Sequence, residues 1–70
     1  MMGMATPSNF QTVHLSNGDA VRVNVKEDGT WTLCGVKTED GEGLVGRPAR
    51  RHVRRAGLKA EIDEFVRVTR

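Results

Sequence analysis

The chain has 70 residues, of which 37% are hydrophobic and 29% charged, with a formal net charge of +2. That length allows one small domain with a small core. The single cysteine, Cys34, excludes an internal disulfide, and no Cys/His set has the spacing of a zinc site.

No apolar run reaches the length of a transmembrane helix. The opening "MMGMATPSNF" lacks the charged and long apolar regions of a signal peptide. A soluble, cytoplasmic protein is expected, with residues 1–8 a flexible arm and residues 9–70 one small domain. The charge is divided along the chain. Residues 1–46 hold three basic against six acidic residues, a net of −3, and residues 47–70 hold eight against three, a net of +5. Such asymmetry suggests a polyanionic partner for the second part.

The first part reads as strands. "FQTVHL", "AVRVNV" and "TWTLCGV" each alternate apolar and polar residues, separated by "SNGD" and "KEDG". Alternation bounded by Asn-Gly and Asp-Gly marks hairpins. Loop length then decides register. A two-residue loop at Asp28-Gly29 would set Trp31 on one face with Asn24 and Lys26, a stacking platform of the kind used for single-stranded nucleic acid. A three-residue loop at Glu27-Asp28-Gly29 instead pairs Val25 with Trp31 and Val23 with Leu33. The same length at Ser16-Asn17-Gly18 pairs Val13 with Val21. Val13, Leu15, Val21, Val23, Val25, Trp31 and Leu33 then share one buried face, and one coherent face is what specifies register. Thr12, His14, Arg22, Asn24, Lys26, Thr32 and Cys34 fall on the other.

"KTEDGEGLVG" reads as a loop or a short fourth strand at Leu44-Val45. Gly41, Gly43 and Gly46 within it have the G-x-G-x-x-G spacing of a phosphate-cradling loop. That motif needs a preceding buried strand and a βαβ unit of a parallel sheet, and neither is legible here. No cofactor is assigned.

A helix is expected from Pro48, since proline suits the first helical position and disfavours a helical conformation for Arg47 before it. Ala49, Val53 and Ala56 form its inner face, and Gly57 weakens or ends it. "LKAEIDEF" suits a second helix with Leu58, Ile62, Phe65 and Val66 on one side. The end "FVRVTR" alternates and allows a last strand instead. The fold class is therefore α+β: a three-stranded antiparallel meander, or four-stranded with Leu44-Val45, packed against C-terminal helical segments. The alternative is a small β-barrel with an inserted helix and a final C-terminal strand.

Arg47, Arg50, Arg51, Arg54 and Arg55 lie within nine residues with no acid among them. Helical spacing keeps them on one side, opposite the small inner residues, and Lys59 extends the stripe. Guanidinium groups suit bidentate phosphate contact and guanine-edge readout. These six residues are the candidate nucleic-acid site, for DNA or RNA. An ordinary solvated face, neutralised by Glu61 or Glu64, is the plain alternative. No catalytic constellation and no metal site stand out, since the acids sit in turns. The expected function is that of a non-enzymatic nucleic-acid-binding regulator. The rival is a small protein-binding regulator or inhibitor docking on an acidic partner surface. A homodimer is also expected, because the core is small.

Overall fold

The computed structural model describes residues 9–69, so the expected arm at residues 1–8 lies outside the described residues. Strands β1 (Asn9–His14), β2 (Ala20–Val25), β3 (Trp31–Lys37) and β4 (Gly43–Leu44) are followed by helices α1 (Gly46–Ala56) and α2 (Lys59–Thr69). The four strands form one antiparallel sheet in the order β1-β2-β3-β4. The fold is α+β with an open sheet, and the barrel alternative is excluded.

The register follows from the turns. Leu15 N–H donates to Asp19 O, Lys26 N–H to Thr30 O and Thr38 N–H to Glu42 O, each at 2.8 Å. Each bond closes a three-residue loop whose last residue, Gly18, Gly29 or Gly41, has φ between +91° and +96°. Only glycine takes that conformation at little cost. Val13 pairs with Val21, Val23 with Leu33 and Val25 with Trp31, as the coherent apolar face requires. The tripeptide Glu-Asp-Gly, at residues 27–29 and again at 39–41, builds the same turn in both places.

One irregularity lies in β3. Val23 pairs with Leu33, but Arg22 pairs with Gly35, so Cys34 is an extra, bulged residue. A bulge flips the alternation beyond it. Val36, which strict alternation would turn outward, is thereby buried at 4% exposure, and Cys34 is exposed.

Both helices cover one face of the sheet. The core joins Val13, Leu15, Val21, Val23, Val25 and Val36 to Ala49, Val53, Leu58, Ile62 and Val66. Each fully buried aliphatic side chain of this kind contributes about 1.5–3 kcal/mol. Residues 62–69 are helical, because Ile62, Phe65 and Val66 meet the core at helical spacing while Val68 points away, 70% exposed. Among the described residues nothing packs on the opposite sheet face. It carries Phe10, half exposed, with the Arg22 guanidinium 5.8 Å from the ring centroid.

Three expectations need correction. The fourth strand is Gly43–Leu44, one residue earlier than expected, and Val45 is the exposed residue preceding α1. Helix α1 opens before the proline and includes Arg47, because Gly46, at φ +64°, turns the chain from β4 directly into the helix. Ala56 is exposed rather than inward. It is the last residue of α1, and Leu58 takes the inner position beyond Val53. Gly57 N–H bonds Arg54 O and Leu58 N–H bonds Val53 O, with Gly57 left-handed. This is the Schellman ending, in which the two apolar residues pack together.

Candidate nucleic-acid interface

Helix α1 sets the geometry of the basic residues. Ala49 and Val53 are its buried residues. Arg47, Arg50, Arg51, Arg54 and Arg55 are all exposed. The rotation of the helix about its axis is fixed by a polar clamp. His52 Nε2 lies 2.6 Å from Asp19 Oδ2, and Asp19 is buried. Asn17 Nδ2 donates to the same carboxylate at 3.0 Å, and Glu39 N–H donates to its other oxygen at 3.0 Å. One buried carboxylate thus joins the β1–β2 loop, the β3–β4 loop and α1. The His52 hydrogen bond holds the Asp19 carboxyl below the usual carboxylate range. Burial opposes that shift, and the Asn17 and Glu39 hydrogen bonds reinforce it. His52 thereby ties α1 to the β1–β2 loop. Asp19 was legible only as a turn acid, because its partner lies 33 positions away.

The acids of α2 do not pair with the arginines of α1. Glu61 accepts hydrogen bonds from Ser16 N–H at 2.9 Å and Ser16 Oγ at 3.1 Å. Glu64 pairs with Arg67, and Asp63 with Lys59. Among the described residues, none of the five α1 arginines forms an ion pair. Like charges one helical turn apart, such as Arg47–Arg51 and Arg51–Arg55, each cost a few tenths of a kcal/mol in a helix. Lys59 differs from the arginines. It sits at the start of α2, and its amine is 3.1 Å from Asp63 Oδ2.

The N-terminus of α1 has no side-chain cap and no acid in its first turn. Its free N–H groups and the helix dipole add to the positive potential there. The three glycines of the G-x-G-x-x-G spacing do not form one loop. Gly41 closes a hairpin, Gly43 pairs with Lys37 in the sheet and Gly46 opens α1.

The arginines divide between two flanks. Arg50 and Arg54 line an open groove of about 860 Å³, together with Trp31, Leu33, Val53 and Asp63. Arg47, Arg51 and Arg55 lie outside it. Trp31 and Leu33 were expected in the core, yet both are only half buried against it. Strand β4 pairs only with Val36 and Lys37, so among the described residues no strand pairs with the outer edge of β3 at Trp31 and Leu33. Trp31 Nε1 donates to Asp63 Oδ1 at 2.6 Å. That bond, with Lys59, holds the Asp63 carboxyl below its usual range.

Among the described residues no three His, Cys, Asp or Glu side chains are grouped to hold a metal ion. No helix among them is long and apolar enough to cross a membrane. Compared with protein-family models, with curated proteins and with solved structures, the chain matches none.

Proposed function

We propose that this chain is a small non-enzymatic regulator, cytoplasmic in location, that binds nucleic acid through Arg47, Arg50, Arg51, Arg54, Arg55 and Lys59. The observation that carries this reading is the set of five exposed arginines on a clamped helix, none of them ion-paired within the described chain. A helix surface selected only for solubility mixes its signs. Here the acids of α2 are bonded to residues other than the five arginines, and a phosphate backbone offers the missing counter-charge. The uncapped start of α1 supports the same ligand.

The test is binding of duplex DNA measured against salt. Four or five phosphate contacts correspond to a slope of about −0.9 each, or about −4 in all, for log affinity against log salt. Arg51→Ala and Arg55→Ala are each expected to weaken binding and flatten the slope by about one contact. Lys37→Ala, outside the stripe, is expected to change little. Absence of binding to duplex DNA, single-stranded DNA and RNA at low salt would overturn the reading. A homodimer belongs to the same proposal. Sedimentation at micromolar concentration is expected to show twice the 7.7 kDa chain mass, and a monomer alone would remove that part.

A further inference from the structure

We propose that the groove between β3 and α1 is a docking site for an extended acidic peptide, which adds to the free edge of β3 as a further strand. Three observations meet there: the first two lie outside the nucleic-acid reading, and the third shares Arg50, Arg54 and Lys59 with it.

The first is an unpaired strand edge. Lys26 N–H donates to Thr30 O, so Thr30 directs its main chain toward β2. Antiparallel strands alternate in this respect. Thr32 therefore also faces β2, and Trp31 and Leu33 direct their N–H and C=O groups away from it. Strand β4 pairs with Val36 and Lys37 alone. Among the described residues, the outward groups of Trp31 and Leu33 have no main-chain partner. Such an edge is a template for an added strand.

The second is the shape of the groove. Its wall includes the consecutive residues Gly29 to Leu33. Side chains on a strand alternate between faces, so a wall of consecutive residues is the strand's own edge. Val53 and the half-buried faces of Trp31 and Leu33 provide apolar surface. Helix α1, with Arg50, Val53 and Arg54, and the start of α2, with Lys59 and Asp63, form the facing wall.

The third is charge, which selects the occupant. Arg50 and Arg54, one helical turn apart, line the groove with Lys59, against a single acid, Asp63. Asp63 already accepts from Trp31 Nε1 and Lys59 Nζ. A peptide with carboxylates on alternate residues sets its main chain on β3 and its acids against Arg50 and Arg54. The edge from Trp31 to Cys34 spans about 10 Å at 3.3 Å per residue step, enough for three or four residues.

The probe is a blocked octapeptide alternating threonine and glutamate, titrated into the full chain by fluorescence anisotropy and by amide exchange. Specific binding is expected, together with at least tenfold slower exchange at the Trp31 and Leu33 amides. The Arg50→Ala/Arg54→Ala double variant is expected to weaken binding on the order of tenfold, from two exposed charge pairs. The Arg51→Ala/Arg55→Ala variant, altered only outside the groove, is expected to stay within twofold. The same peptide N-methylated at alternate residues keeps its charge but loses its main-chain donors, and is expected not to bind. Equal binding of the N-methylated peptide, or of a threonine–lysine peptide, would overturn the proposal. So would unchanged exchange at Trp31 and Leu33, or protection of those amides by oligothymidine and not by the peptide. Duplex DNA binding with its Arg51 and Arg55 dependence is read separately, so either proposal can fail alone.

Discussion

Helices α1 and α2 have the same length, 11 residues, and lie on the same face of the same sheet, yet they handle charge in opposite ways. In α2 the charges pair within the helix, Lys59 with Asp63 and Arg67 with Glu64, and Glu61 is bonded to Ser16. In α1 five arginines stand without a carboxylate partner among the described residues. The anchoring differs as well. Helix α2 buries Ile62 and Val66, with Leu58 just before it. Helix α1 buries only Ala49 and Val53, and the polar clamp between His52 and Asp19 orients it. One helix is organised for stability. The other is held in place while its charge is left uncompensated among the described residues, and the proposed nucleic-acid binding rests on that difference.

The largest test of this contrast is Ile62→Ala. Ile62 is fully buried at 0% exposure, and its truncation is expected to cost about 2–5 kcal/mol in chemical denaturation. A loss under about 0.5 kcal/mol, the level of a surface substitution, would remove α2 as the anchor.

Next comes Asp19→Ala, which leaves His52 and the Glu39 N–H without their acceptor. A loss of about 1–3 kcal/mol is expected for the unsatisfied partners. The clamp also carries a pH signature. The Asp19 carboxyl is depressed in the folded state. Its stabilising contribution is therefore fully present above the ordinary aspartate value, near 3.9, and is lost as pH falls through the lower folded value. Asp19→Asn is expected to reduce the acid-induced loss of stability below about pH 4. An unchanged acid limb in Asp19→Asn would show that the other depressed carboxyls, Asp28, Asp40 and Asp63, account for it.

Leu33→Ala is expected to be milder, about 1–2 kcal/mol, because Leu33 is only half buried at the open edge of β3. A cost matching that of Ile62→Ala would mean that the groove is closed in solution.

The smallest effect sharpens the comparison most directly. Arg51→Ala removes like-charge neighbours at Arg47 and Arg55, and is expected to stabilise the protein by about 0.2–0.5 kcal/mol at low salt. Arg67→Ala removes a pair with Glu64 and is expected to destabilise by a similar amount. Equal signs for the two would erase the distinction between the helices.

Much of this arrangement is local and was legible in the sequence. Two glycine-ended loops, closed by Gly18 and Gly29, and alternating valines determine the register of β1, β2 and β3, since only that register gathers the apolar side chains on one face. The arginine stripe follows from helical spacing, and the glycine after Ala56 marks the helix end. What the tertiary structure decided depends on partners distant in sequence. The Cys34 bulge, hinted at only by Gly35 within a strand, redirects Val36 into the core. Residues 62–69 alternate well enough for a strand, and become a helix because Ile62, Phe65 and Val66 find the core at helical spacing. The shortness of β4 leaves Trp31 and Leu33 at an open edge, which no property of those two residues foretells. The Asp19–His52 clamp joins a turn to a helix, and a buried carboxylate acquires its partner only when both elements are packed on the sheet.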